Sequence, residues 1–398
     1  MRQRSCMAFA FVSVFLMSGA GAGTEALPAT TVADARVQNA PPEERSVLRV
    51  AQSPPATPEA LPTAPTRGRP PLPPSWTTFP GEFAMRTEKG FYLTAINGGG
   101  RTSDPIVITE ATTAGPWEKF RLAVMSPPPP NDKSIQTASG NYLTAVNGGG
   151  MTSNALHTDA TQVRDWEQFR IIDLTVDGSA WTYFAIRTTR GNYLTAIGEG
   201  GKYADAIHTD ATQINSWERL RIVKCGDIGS GYQYAILTSN GSILTAVNGG
   251  GVPDGDTIVQ GQWYGAPTDG TWARFKFIRQ PDGSYALQTS NGTNYVTALG
   301  GGGQVQKYLP PNCGWFSACI SGWSTIFHTD ATQVLGWERF KIIDQGNCKY
   351  AIQTVSGYYF GMYKDPNGYA FTTDRSTISE NEQFQLIMYG LASPAVLH

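Results

Sequence analysis

The chain has 398 residues, of which 30 are basic and 32 acidic, and charged side chains make up only 16% of it, well below the roughly 25% of an average soluble protein. This balance argues against a nucleic-acid-binding protein, which normally carries a basic patch. Aromatic residues at 11% and 44 glycines exclude a wholly disordered chain and favour strands joined by tight turns.

The N-terminal segment has the pattern of a secretory signal peptide. Arg2 and Arg4 precede an apolar run from Met7 to Met17, and the small residues Ala20-Gly21-Ala22 follow it. The apolar run is shorter than the roughly 20 residues that a membrane-spanning helix needs. We therefore interpret residues 1–22 as a cleaved signal peptide and not as an anchor, and we expect a secreted or periplasmic protein with no membrane insertion after cleavage.

Residues 23–78 are predicted to be a Pro-rich disordered linker. The stretch 41–80 contains 12 prolines, which exclude a helix, and it offers few apolar side chains to bury. Such a segment is either an unstructured N-terminus or a spacer that holds the folded part at a distance.

Four cysteines follow the signal peptide, and an even number in an exported chain predicts two disulfides. Cys313 and Cys319 lie in one loop, which favours pairing them and leaves Cys225 with Cys348. Three pairings are possible for four cysteines. A zinc site is the alternative, but the Cys-x2-Cys spacing typical of structural zinc is absent from the sequence.

Six copies of one unit of about fifty residues fill the chain after the linker. Each copy has a short alternating segment, then Tyr-Leu-Thr-Ala or a relative of it, then a glycine cluster, and it closes on Trp-Glu-x-Phe or a degraded form of it. The segments alternate with the period of two that half-buried strands require. Within 142–145 we expect Leu143 and Ala145 to face the core. Four strands in each of six units predict an all-β protein, either as two β-trefoils or as a six-bladed propeller.

The order of these motifs resembles the repeat of fascin-like (actin-crosslinking-like) β-trefoil proteins. The likeness is strongest to exported bacterial members that carry His-Thr-Asp-Ala-Thr-Gln, a string found here at 157–162, 208–213 and 328–333. The resemblance covers residues 79–390. It implies two tandem β-trefoils of six fascin-like repeats in all, with the first at 79–225 and the second at 226–390.

An acidic residue stands beside the tryptophan in most copies, which invites a catalytic interpretation. A catalytic carboxylate pair needs two different environments at one cleft, whereas a residue repeated with the fold usually supports the fold. We therefore predict a structural role, such as a hydrogen bond at a turn or strand end, for Glu118, Glu167, Glu218 and Glu338.

The repeated histidines invite a metal interpretation. Counting back from each tryptophan places Ile108, Trp263 and Thr372 where the other copies have histidine, so neither trefoil collects three histidines and no metal site is predicted. We expect the string to form a turn whose Asp and Thr side chains bond nearby backbone N–H groups. Ligand contact is the alternative, and the secondary candidates are His157, Asp159, His208, Asp210, His328 and Asp330.

Two copies in the second half are longer than the others and carry clustered aromatic residues. Aromatic rings on rigid loops are typical of sugar recognition, because a pyranose stacks on the ring while nearby polar groups bind its hydroxyls. The alternative is a loop that buries its own aromatics. The primary ligand-binding candidates are Trp263, Tyr264, Tyr308, Trp315, Phe316 and Trp323.

The sequence thus favours an exported, non-catalytic binding protein that recognises a polysaccharide or glycoconjugate through loops of the second trefoil. The resemblance adds that such domains accompany bacterial carbohydrate-active proteins. The alternatives are a structural crosslinker of filaments or matrix and, less favoured, a glycoside-active enzyme. We expect no cofactor and no nucleic-acid partner.

Overall fold

The computed structural model describes residues 76–125, 133–174, 183–260, 270–309, 322–366 and 368–389. These residues form antiparallel strands joined by turns and short 3-10 segments, and no α-helix occurs among them. The prediction of an all-β chain is therefore confirmed. No helix in the described ranges has the length and apolar character needed to cross a membrane.

The first half of the described chain contains thirteen strands, most of them four to six residues long. They are β1 Trp76–Thr78, β2 Glu82–Thr87, β3 Tyr92–Ala95, β4 Val107–Ala111, β5 Lys119–Met125, β6 Lys133–Gln136, β7 Tyr142–Ala145, β8 Leu156–Ala160, β9 Arg170–Asp173, β10 Phe184–Arg187, β11 Tyr193–Ala196, β12 Ile207–Ala211 and β13 Leu220–Cys225.

The second half repeats this pattern and adds a two-stranded ribbon, β20–β21. Its strands are β14 Gln233–Leu237, β15 Leu244–Ala246, β16 Ile258–Gln260, β17 Phe275–Arg279, β18 Tyr285–Gln288, β19 Tyr295–Ala298, β20 Tyr308–Leu309, β21 Gly322–Trp323, β22 Phe327–Ala331, β23 Lys341–Asp344, β24 Tyr350–Gln353, β25 Tyr359–Asp365, β26 Gly368–Arg375 and β27 Gln385–Met388.

Strand pairing closes the first half into a barrel. β2 pairs with β5, β5 with β6, β9 with β10, β10 with β13, and β13 pairs back to β2. A bridge between Lys133 and Phe169 joins β6 to the residue before β9 and completes a closed ring of six strands. The hairpins β3–β4, β7–β8 and β11–β12 stand outside this ring as a three-part cap, which is the β-trefoil arrangement.

The second half closes in the same way. β14 pairs with β17, β17 with β18, β23 with β24, and β27 with β14. Bridges between Tyr285 and Phe340 and between Tyr350 and Phe384 supply the two remaining links of the ring. Its cap consists of the hairpins β15–β16, β19–β22 and β25–β26. A six-bladed propeller would need one ring formed by all the units, so these two closed barrels exclude it.

The cores follow the predicted alternation. Leu143 and Ala145 are buried in the large apolar cluster, as expected, and so are Phe169 and Ile171 at the end of the same unit. Tyr142 and Thr144 are buried as well, because the rest of the unit folds over the outer side of β7. In the second barrel, one enclosed apolar space is lined by Leu244, Val296 and Phe360, the residues that the repeat makes equivalent.

Each glycine cluster turns the chain sharply after the first strand of a hairpin. Gly149 has a φ of 113°, in the region that only glycine adopts without strain, and a Cβ there would lie 2.3 Å from Thr188 Oγ1. The cluster therefore serves close backbone approach as well as the turn.

The two barrels are joined by strand contact and by a covalent bond. Val223 of β13 bridges to Ile387 of β27, and a single buried apolar cluster runs through both barrels. A disulfide links Cys225, at the end of β13, to Cys348, in the turn before β24. This is one of the two disulfides that the sequence leads us to expect. Cys313 and Cys319 lie outside the described residues.

The signal peptide at 1–22 and nearly all of the linker at 23–78 also lie outside the described residues. The last three residues assigned to the linker, Trp76–Thr78, instead form β1 and pair with β5. The linker prediction therefore extends too far. The proline-rich run ends at Pro74, and the aromatic and β-branched residues that follow it favour a strand.

Candidate functional site

The acidic residue beside each tryptophan is buried and supports a turn. Glu167 accepts hydrogen bonds from the Thr144 hydroxyl at 2.7 Å and from the Arg164 backbone N–H at 2.8 Å. Glu338 repeats this geometry with Thr297 and with the N–H of Leu335. The carboxylate thus ties the 3-10 turn to the first strand of the hairpin, which is the structural role predicted from the sequence.

The histidine-containing string does not form the predicted turn. Residues 156–160 form strand β8, and the Thr158 hydroxyl accepts a hydrogen bond from the N–H of Arg101, which belongs to the preceding hairpin. The prediction of local turn bonding is wrong because this threonine lies where two hairpins meet.

Each histidine contacts or lies near a polar side chain of its own hairpin. His157 contacts Asn154, His208 contacts Asp205 at 2.6 Å and lies 3.8 Å from Asp210, and His328 lies 3.9 Å from Asp330. Asp159 lies on β8 beside His157. Across the described ranges, no group of three or more His, Cys, Asp or Glu side chains is placed to hold a metal ion.

Backbone bonds join the three hairpins of the first trefoil into a closed cycle. In each link, the last glycine of one cluster donates its N–H to the carbonyl of a buried threonine in the next hairpin. The three links are Gly100 to Thr158, Gly150 to Thr209 and Gly201 to Thr109, with N–O distances of 2.6, 2.6 and 2.7 Å.

Within its described residues, the second trefoil has two of these links. Gly251 donates to Thr329 and Gly303 donates to Thr373, both at 2.6 Å. The hairpin β25–β26 lacks a glycine cluster, and the described residues contain no backbone bond from it to β16. Strand pairing makes Gln260 the equivalent of Thr109, so a larger polar side chain stands at the unlinked position.

The missing link leaves an open cleft between β16 and β26, which we call the cap cleft. Its volume is about 350 Å³, and it is lined by Asp256, Ile258, Val259, Gln260, Gln306, Tyr369 and Phe371. The size is that of a small-ligand site. The lining combines two aliphatic side chains, two amides, one carboxyl and two aromatic rings.

Several side chains of the cap cleft are available to contact a ligand. The Nε2 atom of Gln260 is buried and has no hydrogen-bond partner; buried donors are normally paired. Burial raises the pKa of Asp256. Tyr369 is 48% exposed, so its ring face is available for stacking. Gln306 is held in place, because its Oε1 accepts the N–H of Phe371 at 2.9 Å.

Both longer copies adjoin this cleft. The first insertion begins directly after Gln260, and the second leaves the cleft at Gln306 to form the ribbon β20–β21. The base of the ribbon is hydrogen-bonded to the segment that precedes β16, because the Thr325 hydroxyl donates to Asp254 at 2.7 Å.

The predicted aromatic candidates fall only partly within the described chain. Tyr308 is half-buried and pairs with Trp323 across the ribbon; for Trp323 only the backbone is described. Trp263, Tyr264, Trp315 and Phe316 lie outside the described residues. One placement is corrected: Val259, and not Trp263, is the equivalent of His157, because the extra residues of the fourth copy follow β16 instead of preceding it.

Three exposed tryptophans were not predicted as candidate site residues. Trp166, Trp217 and Trp337 are 46%, 42% and 49% exposed, although their motif was assigned to the fold. The Cδ1 atom of Trp166 packs against Gly148, where a Cβ would lie 3.5 Å away. The glutamate that follows each of these tryptophans was the available signal. If the glutamate points inward at such a turn, the tryptophan beside it points outward.

No protein-family model matches this chain, and no curated protein matches it. Among solved structures, the designed three-fold symmetric protein ThreeFoil is 13% identical with a TM-score of 0.29, covering 39% of this chain and 97% of that one. The Rhizoctonia solani agglutinin is 15% identical with a TM-score of 0.29, covering 37% and 98%. A mosquitocidal holotoxin is 9% identical with a TM-score of 0.30, covering 77% and 34%. Similarities with such low TM-scores and identities support no conclusion about this chain. The β-trefoil fold is established by the strand pairing described above.

Proposed function

We propose that this protein is an exported, non-catalytic glycan-binding protein and that its primary site is the cap cleft of the second trefoil. The observation that carries the proposal is the missing link between β16 and β26. It opens a cleft at a position where the Gly201–Thr109 bond joins two hairpins in the first trefoil, and the cleft contains the ring, amides and carboxyl that sugar recognition uses.

The arrangement suits a neutral sugar. The exposed face of Tyr369 offers a stacking surface for a pyranose ring, and the unpaired Nε2 of Gln260 offers a donor to a hydroxyl. A ligand that accepts this bond removes the penalty of a buried, unpaired donor. Trp263 and Tyr264, which follow Gln260 closely in sequence, are proposed as further ligand-binding residues.

The test begins with a glycan array on the full chain, followed by calorimetric titration of the oligosaccharide that it selects. Truncating a stacking aromatic typically costs about 1–3 kcal/mol, so Tyr369→Ala is expected to weaken binding roughly 10- to 100-fold. Its melting temperature should be unchanged because the ring is exposed. Gln260→Ala should also weaken binding. An array without hits, or full affinity in Tyr369→Ala, would contradict the proposal.

A second candidate is a crosslinker that binds through the common repeat, as the fascin resemblance suggests. The exposed tryptophans favour it, because Trp166, Trp217 and Trp337 present the same side chain at corresponding turns. Trp166→Ala is therefore the matched control. Loss of binding there, with Tyr369→Ala unaffected, would move the site to the repeat and favour multivalent crosslinking. Mass spectrometry of the bound oligosaccharide tests the non-catalytic part, and cleavage would indicate an enzyme.

A further inference from the structure

A second cleft lies where the two barrels meet, and we call it the barrel-junction cleft. Its volume is about 370 Å³. The first barrel contributes Arg86 and Arg221, and the second contributes Lys349, Glu380, Gln383 and the turn 238–241. Three cations and one carboxylate therefore line this cleft, in a protein whose net charge is −2.

The two arginines form an unfavourable pair. Arg86 on β2 and Arg221 on β13 lie directly opposite each other across the antiparallel ladder, where Cβ atoms are about 4.5–5.5 Å apart and like charges repel. Both side chains are half-buried, which weakens screening by water. Neither guanidinium has a carboxylate partner in an ion pair within the described part of the chain.

Their existing contacts orient the guanidinium groups without neutralising them. Arg86 donates to the Gly90 carbonyl at 2.9 Å and to Gln385 Oε1 at 3.1 Å. Arg221 lies 4.4 Å from the centre of the Tyr183 ring, and its buried Nε has no hydrogen-bond partner. Burial, opposed in part by Tyr183, lowers the pKa of Arg221, and Arg86 lowers it further. Glu88 acts in the opposite direction and raises the pKa of Arg221.

An anion between the two guanidinium groups would relieve this repulsion. Arginine pairs bind carboxylates through short, charge-assisted hydrogen bonds. The rest of the lining includes the neutral polar side chains of Thr238, Asn240 and Gln383, and the single carboxylate of Glu380 is outnumbered there by three cations. The volume is larger than a simple inorganic anion requires, and it falls in the range of about 300–1,000 Å³ typical of ligand sites.

We propose that the barrel-junction cleft binds the carboxylate of an acidic saccharide such as a uronic acid, with Arg86 and Arg221 on either side of the carboxylate and Lys349 at the rim. The neutral polar groups bind the hydroxyls of the sugar. This site is separate from the cap cleft, and its ligand differs from the neutral sugar proposed there by one negative charge.

The test is calorimetric titration of the full chain with glucuronate, with glucose as the uncharged counterpart and inorganic sulfate as the plain anion. Glucuronate is expected to bind, more weakly as salt rises, while glucose does not bind at this site. Arg221→Gln should weaken glucuronate binding at least 10-fold, because a charge-assisted bond is lost. Lys349→Gln should weaken it a few-fold, and it serves as the second variant if Arg221→Gln fails to fold.

Two controls separate this site from its alternatives. Arg164→Gln removes an exposed arginine of the first trefoil and should leave glucuronate binding unchanged, while sulfate tests for a general anion site. Unaltered glucuronate affinity in both Arg221→Gln and Lys349→Gln would overturn the proposal. Sulfate binding as tight as glucuronate would also overturn it, by showing a general anion site. Failure of the neutral-glycan test at the cap cleft leaves these outcomes unaffected.

Discussion

The bonds made by Glu167 give the sharpest test of how each unit is held together. Its carboxylate is buried and joins the Thr144 hydroxyl to the Arg164 N–H. Glu167→Ala leaves both donors unpaired, at about 1–3 kcal/mol each, and it also empties space in a packed region. We therefore expect the free energy of unfolding to fall by about 3–5 kcal/mol. Glu167→Gln keeps the shape but turns one acceptor into a donor, and about half of that loss is expected.

A double-mutant cycle isolates the bond between the two side chains. Thr144→Val removes the hydroxyl at nearly constant shape, and its coupling with Glu167→Gln should be about 0.5–3 kcal/mol, the range found for contacting residues. Urea unfolding followed by far-ultraviolet circular dichroism measures each variant without relying on the nearby Trp166. Glu110→Gln, on the exposed side of β4, is the matched control and should change stability by less than about 0.5 kcal/mol. A loss below about 1 kcal/mol in Glu167→Ala would refute the structural role of the carboxylate.

Three further outcomes follow from burial, covalent connection and charge. Phe169→Ala empties a fully buried site and should lower the free energy of unfolding by about 3–5 kcal/mol; a near-neutral urea melt would mean that the ring does not support the core. Replacing Cys225 and Cys348 by Ser opens a loop of 123 residues and should remove about 5 kcal/mol by the chain-entropy estimate, measured against the oxidised parent; equal stability would contradict it. Burial lowers the pKa of Lys224 from 10.5 to about 8, so above pH 8 the unfolded chain retains a proton that the folded chain has released. The stability of the parent relative to Lys224→Met should therefore rise by about 1.5 kcal/mol from pH 8 to 9.5, and a difference independent of pH would count against it.

The sequence was sufficient to predict an all-β chain of six units because that signal is local and repeated, whereas the choice of two β-trefoils over a propeller came from the resemblance to fascin-like proteins. Alternation fixes which residues of each strand face inward, and the equivalent positions Leu143 and Val296 are buried as that pattern requires. The structural role of Glu167 was predictable for the same reason, since a residue repeated with the fold usually supports it.

Features that depend on register between distant strands were not predictable. Counting back from Trp272 placed Trp263 opposite the histidines, because the count assumed that the loop after the strand has constant length; pairing of β15 with β16 shows Val259 there instead. The opposition of Arg86 and Arg221 arises only when the third unit closes onto the first. The cap cleft was likewise not predictable, because it results from a backbone bond that is missing between two units. The sequence of one unit alone does not show that this bond is missing.

The unequal caps of the two trefoils have a consequence for local motion. In the first trefoil every hairpin is braced on both sides, so opening one hairpin breaks two sets of backbone bonds. In the second trefoil the hairpins form an open series, and β15–β16 and β25–β26 are each braced on one side. Its amides should therefore exchange with solvent first at these two ends. A ligand that spans the gap would turn the series into a cycle, and it would slow exchange in strands that it never touches.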